Sequence, residues 1–412
     1  AESRASAMSV TTTSHLWLPF TQMREFDGAA RTFVRGEGTV LIDARGRRVY
    51  DAVSSIWTIV HGHGHPRIVE AIARQAAILD HATTLGASNP VAEELANRLC
   101  AATGMERAFF ASDGASAVEA ALKMALQYWR NTGEPERTRF VRLAGAYHGD
   151  TIGAMSVSDV ERFKAPFASV TFETRSYDDP AAFGGDVAAV IVEPLVQAAA
   201  GMRVVPAEKY ARLSGIAPLV IVDEIATGFG RTGTMFAFEP LPFEPDLIAL
   251  GKGITGGTLA LSATLANARV YDAFLGASSE VKHFFHGHSY AGNPIACAAA
   301  LASLALFEEE GTLANAARIA ERARVRLQSL HAHPLVREVR QAGAMIGIEL
   351  RAEIIDARDA PTPAWRVAAG LYERGAFTRP IVDTIQFVPP LSSTAGEVDA
   401  FFDALIAELE TM

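Results

Sequence analysis

Lys252 stands between two glycines, Gly251 and Gly253, directly after the apolar run 247–250. The run reads as a buried strand and the triplet as the turn at its end. A lysine placed there can be desolvated, which lowers its pKa and frees an amine to form a Schiff base. Alone, a Gly-Lys-Gly triplet is more often a solvated turn. Asp223 and Glu224 close a second apolar run, 219–222. A buried acid needs a cation beside it or it takes up a proton. A protonated pyridine nitrogen is such a cation; a metal ion is the rival, although no third ligand stands nearby in the sequence.

Two further stretches carry candidate chemistry. Ser112-Asp113-Gly114-Ala115-Ser116 lies between a strand-like and a helix-like segment. Small residues there let backbone N–H groups approach an anion at a helix N-terminus. Simple capping by Ser112 or Asp113 explains the same residues equally well. The stretch has neither the Gly-Lys-Ser/Thr of a P-loop nor a GxGxxG pattern. Tyr147, in Tyr-His-Gly-Asp, follows the strand-like run 140–143 and can stack on a planar ring or serve as a core or interface tyrosine. Three histidines, His61, His63 and His65, alternate with glycine. Glycine spacers fix no ligand geometry, so the reading is a loop packed near a site rather than a metal centre.

These residues must be positioned by a fold. From 107 to 265, strand-like runs (108–111, 140–143, 189–192, 219–222, 247–250, 261–266) alternate with helical pattern, strongest at 117–130. That alternation predicts an α/β domain around a mostly parallel sheet covered on both faces. Ligands of such sheets sit beyond the carboxyl ends of the strands, where each motif above falls. Before it come short strands at 32–34, 40–43 and 48–51, then helices at 66–80 and 90–102. After residue 293 the pattern is α+β: helices 294–310 and 313–330, strands 336–341 and 345–350, helix 362–374, strands 377–379 and 385–387, and helix 396–410. The expected division is a flexible leader or remnant at 1–14, an N-terminal part of a small domain at 15–60, a large domain at 61–300 and the C-terminal small domain at 301–412.

The chain has 412 residues, 49% apolar and 20% charged, and a net charge of −10. The negative balance argues against nucleic acid or an anionic membrane as partner. Two cysteines, Cys100 and Cys297, make no disulfide framework and suit a reducing cytoplasm. No apolar run reaches 18 residues, so no membrane span is expected.

An amine, a strand-end acid, a ring partner and an anion cradle are what pyridoxal 5'-phosphate requires. An ionised acid at its ring nitrogen keeps the ring an electron sink. The stretch from Ile221 through Asp223, Glu224, Ala226, Gly228, Gly230 and Gly233, followed by Asp246 to Lys252, resembles the class III aminotransferases of PLP fold type I. The resemblance covers about 15–412. It implies that Lys252 forms the Schiff base, Asp223 meets the ring nitrogen, Gly114 and Ala115 contact the phosphate, and Tyr147 covers the ring. It also implies a homodimer with shared active sites, Ser289 completing the partner's phosphate site. Within the family the chain is similar to the biotin-synthesis branch, on His15 to Gln22, Ser54 to Trp57, Glu193 to Gln197 and Arg379-Pro380. That branch implies 8-amino-7-oxononanoate as acceptor, adenosylmethionine or lysine as amine donor, Arg379 holding the acceptor carboxylate, and Phe20, Trp57 and Tyr147 lining its channel. Phe20 and Ile56 stand where the adenosylmethionine users carry Tyr and Trp, which resembles the lysine-using form, and His288 replaces the Pro usual before the phosphate-binding hydroxyl. A broad ω-amine or diamine transaminase, a decarboxylase or aminomutase on the same fold, and a non-catalytic small-molecule-binding protein are the other readings.

Overall fold

The computed structural model describes residues 15–24, 31–216, 218–358 and 360–412, so the expected leader at 1–14 lies outside the described residues. A seven-stranded sheet forms the middle of the molecule. Its spatial order is Arg107–Ala111, Ser262–Ala266, Leu247–Leu250, Leu219–Asp223, Val187–Val192, Arg139–Arg142 and Arg175–Ser176. The strands from Leu247–Leu250 to Arg175–Ser176 run parallel. Val187–Val192 and Leu219–Asp223 are buried at every residue, as central strands covered on both faces must be. Ser262–Ala266 runs antiparallel to both of its neighbours. Its direction was not legible, because a short apolar run reads the same either way.

Helix Gly114–Thr132 packs on this sheet through Ala117, Ala121 and Ala125, and Trp129 Nε1 donates to Ala188 O at 2.8 Å. Asp113 caps its start by accepting from Ser116 N, and Gly133, at φ 96°, ends it in the left-handed region. Helix Pro294–Glu309 is apolar almost all round and is correspondingly buried, against Pro66–Ile78 among others.

Two smaller sheets join distant parts of the chain. Phe33–Glu37, Val40–Asp43 and Arg48–Asp51 pair in order, and Ala376–Phe377 adds parallel to the last of them. The C-terminal strand expected at 377–379 is thus shifted to 376–377, releasing Arg379 from the ladder. Val336–Ala342, Met345–Leu350 and Thr384–Phe387 form an antiparallel sheet, with Thr312–His331 and Ala395–Leu409 packed in the same core. The sequence reading missed the short hairpin Val196–Gln197 with Arg203–Val204 and the helices Ile152–Ser156 and Glu161–Lys164.

The segment Ser54–Trp57 is a left-handed helical turn, with φ of 49°, 46°, 66° and 66°. Left-handed backbone costs an L-residue roughly 1–2 kcal/mol, and β-branched Ile56 is an outlier there. Distant groups hold it. Asp51 accepts from Ser55 N and Oγ at 3.0 and 2.8 Å. Ser54 Oγ donates to Val388 O at 2.7 Å. The fully buried Arg231, delivered by the Gly228–Gly233 loop, donates to Ile59 O at 2.8 Å, Pro389 O at 2.7 Å and Trp57 O at 3.3 Å.

The three alternating histidines go to three different partners. His61 bonds Ser303 Oγ, His63 the Asp51 carboxylate and His65 Glu310. His63 thereby holds the Asp51 that anchors the strained turn, while His61 and His65 tie the loop to helix Pro294–Glu309 and the residue after it.

Candidate active site

A cavity of about 460 Å³ opens beyond the carboxyl ends of the parallel strands. Trp57, Gly114, Ala115, Tyr147, Asp223 and Lys252 all line it. The structure therefore gathers six of the expected residues around one space of ligand size.

Lys252 follows Leu247–Leu250 by two residues and is itself held at φ 42°. Burial pulls its amine below the ordinary lysine value, while the Asp223 and Glu193 carboxyls pull the other way. Its Nζ lies 5.0 Å from the centroid of the Trp57 ring. The amine is thus buried, poised to lose its proton, and walled on one side by an indole.

Asp223 is the last residue of Leu219–Asp223. His148 Nδ1 lies 2.7 Å from its Oδ2, and Ile225 N donates to its Oδ1 at 3.0 Å. The His148 ring is fully buried, and its Nε2 has no partner among the described residues. Histidine and backbone amide fix the carboxyl in one orientation. The neighbouring Glu224 faces different groups: it accepts from Thr227 Oγ1 and from Phe238 N, each at 2.7 Å, and burial pushes it up to about 7. The two acids therefore do not share an ion between them.

At the helix start, Asp113 satisfies the amides of Ser116 and Ala117. The first-turn amides of Gly114 and Ala115 have no hydrogen-bond partner among the described residues. Glycine lets them sit close to neighbouring chain. A Cβ on Gly149, at φ 127°, would lie 2.5 Å from Ala115 Cβ, and one on Gly114 would meet Ile225 at 2.9 Å. A compact cradle with free N–H groups suits a phosphate. Capping by Asp113 is present, and it leaves the Gly114 and Ala115 amides available to an anion.

Tyr147 donates from its hydroxyl to Asp150 Oδ2 at 2.8 Å, and burial keeps the phenol protonated. Its ring meets Phe163, with centroids 6.1 Å apart, and Phe163 meets Phe20 at 5.1 Å. Phe20 is exposed and is not brought to the cavity wall; it reaches the site only through Phe163. Arg379 is half-buried, off the wall, and has no carboxylate partner among the described residues. Ser289 is exposed and lies outside its own chain's cavity, in a loop whose Phe285 and Tyr290 are also exposed. In the same loop His288 Nε2 is buried without a partner among the described residues, and the His286 and His288 rings lie 4.9 Å apart.

Two site residues escaped the sequence reading. His148 adjoins Tyr147, but nothing local shows that it turns to Asp223. Glu193 follows Val187–Val192, lines the cavity and accepts from Tyr147 N at 3.0 Å. Burial first, and Asp223 second, hold its carboxyl well above the ordinary glutamate value. The strand-end rule that found Asp223 and Lys252 applies to Glu193 as well.

The family description Aminotransferase class-III matches residues 23–409. The chain belongs to the class III aminotransferases. It is 40% identical to adenosylmethionine-8-amino-7-oxononanoate aminotransferase of Geobacter sulfurreducens, over 97% of this chain and 96% of that protein. The crystal structure of the enzyme of that name from Methanocaldococcus jannaschii superposes with a TM-score of 0.89 at 37% identity, covering 96% of this aminotransferase and 97% of that chain. A PLP-bound amine transaminase from an uncultivated Pseudomonas species superposes with a TM-score of 0.88 at 34% identity, covering 97% and 99%. The fold of this aminotransferase is that of a PLP-dependent fold type I transferase. Among the described residues no helix is long and apolar enough to cross a membrane.

Proposed function

We propose that this aminotransferase aminates 8-amino-7-oxononanoate to the 7,8-diamine in biotin synthesis, with adenosylmethionine or lysine as donor. Pyridoxal 5'-phosphate, when bound, supplies the electron sink for the carbon that carries the amine. Lys252 Nζ would hold it and, once freed, would carry a proton from the donor's amine-bearing carbon to the cofactor carbon, and in the opposite direction for the acceptor. Asp223, oriented by His148, would meet the ring nitrogen and keep it protonated. The Gly114 and Ala115 amides would hold the phosphate, and Tyr147 would cover the ring.

The observation that carries the acceptor is Arg379. A half-buried guanidinium with no carboxylate partner among the described residues suits a substrate carboxylate, which it can grip with two parallel bonds. Full-length likeness to the Geobacter enzyme supports the same acceptor. Trp57 forms the apolar wall between Lys252 and the Arg379 segment, and Phe20 closes over Phe163 at the rim. The chain works as a cytoplasmic homodimer, Ser289 of each subunit completing its partner's phosphate site. Its large domain is 61–300, and 15–60 joins 301–412 in the small domain, as the pairing of Ala376–Phe377 with Arg48–Asp51 supports.

Purified protein with 8-amino-7-oxononanoate and each donor in turn tests this, with the diamine read by mass spectrometry. Diamine from adenosylmethionine or lysine is expected; none from either refutes the assignment. The likeness to an amine transaminase favours a second reading, an ω-amine or diamine transaminase using pyruvate. Alanine formed from pyruvate and an aryl amine, without any diamine in the first assay, would establish it instead.

A further inference from the structure

Gln386 lies in Thr384–Phe387, paired through Gly347 with the neighbouring strand, and is 1% exposed. A buried glutamine needs partners at both ends of its amide. Its Oε1 accepts from Trp57 Nε1 at 2.8 Å, and its Nε2 donates to Arg379 O. Its backbone carbonyl also accepts from Thr378 Oγ1 at 2.7 Å. One residue therefore grips the cavity wall with one atom and the Arg379 segment with two others. Only one orientation of the amide serves an indole N–H and a carbonyl together.

The ends of this bridge matter. Trp57 is already fixed by the strained turn and stands 5.0 Å from Lys252 Nζ. Arg379, two residues beyond the end of its short strand, has no carboxylate partner among the described residues to anchor it. The tie to Gln386 is what connects its backbone to the wall.

We propose that Gln386 is a positioning residue: it ties Trp57 to the Arg379 segment, setting the span between the reacting amine and the carboxylate receptor and hence the preference for carboxylate-bearing substrates. This rests on the reading of Arg379 as that receptor. A substrate with a keto group at Lys252 and a carboxylate at Arg379 uses the whole bridge. An amine without a carboxylate uses only the wall.

The test compares Gln386→Leu with the wild type on 8-amino-7-oxononanoate and on an aryl amine. Losing a buried hydrogen bond should raise KM for the keto acid about tenfold more than KM for the aryl amine, with kcat for the keto acid held within about twofold. Trp57→Phe, which removes the indole donor, should add less in the Gln386→Leu background than alone. Equal losses on both substrates, no loss on either, or full additivity of the two substitutions would overturn the proposal. Gln386→Met, unbranched and of similar length, repeats the measurement if the leucine variant does not fold. If the wild type turns over no keto acid, the proposed function fails. Calorimetric binding of nonanoate to the cofactor-loaded protein then decides the tether separately. Weaker binding in Gln386→Leu supports it, and equal or absent binding in both proteins refutes it.

Discussion

Gly149→Ala should loosen the phosphate cradle without touching any group that reacts. At φ 127° an alanine is strained whatever the space around it, by about 1–3 kcal/mol. Its Cβ would also lie 2.5 Å from Ala115 Cβ and 3.0 Å from Ala115 Cα, where ordinary contact begins at 3.4 Å. Relieving that overlap costs roughly another 1–3 kcal/mol, and the atom that must yield is the backbone of a cradle residue. Displacing one charge-assisted bond from a Gly114 or Ala115 amide removes about 1.5–3 kcal/mol, or about 10- to 150-fold in cofactor affinity. The assay is equilibrium titration of cofactor-free protein with pyridoxal phosphate, followed by absorbance, alongside thermal melting. Gly133→Ala is the control: its φ of 96° imposes the backbone strain, but a Cβ there meets nothing within 4 Å. It should lower the melting temperature and leave cofactor affinity alone. If Gly149→Ala binds the cofactor as tightly as Gly133→Ala does, the placement of the cradle at Ala115 is wrong.

Two other outcomes follow from the same geometry. The Lys252 amine is held below its ordinary value near 10.5, so the unfolded chain binds more protons at this group in the interval beneath 10.5. The lysine's contribution to stability therefore rises with pH toward that value. Cofactor-free Lys252→Met should be more stable than the wild type at neutral pH, and the gap should narrow by pH 10 in urea melts; a constant gap contradicts a depressed lysine. For the shared site, Lys252→Ala and Ser289→Ala proteins, mixed and reassembled, should yield hybrid dimers with one intact site. Their activity should exceed that of either parent, and a mixture no better than its parents rules out exchange of Ser289 between subunits.

The chemistry of this site was legible where it follows a rule about strands. Asp223 and Lys252 were brought to the cavity as expected because buried parallel strands read as apolar runs and their ends are where polar groups gather, and Gly114 because small residues open the helix that follows. Local signals fail where a distant partner decides. Nothing in Ser-Ser-Ile-Trp favours positive φ; Asp51, Arg231 and Val388 impose it from elsewhere in the chain. His148 matters through Asp223, 75 residues away, and Gln386 through Trp57, 329 away. The strand expected at 377–379 was ended two residues too late, because the sequence does not show where the parallel pairing with Arg48–Asp51 stops.

The central claim is that the amine which holds the cofactor belongs to Lys252. Protein loaded with pyridoxal phosphate, reduced with borohydride and digested, gives a peptide map that tests it directly. The cofactor mass should be fixed on the peptide containing Lys252 and be lost in Lys252→Ala. A label on another lysine, or none on the wild type, would contradict the account.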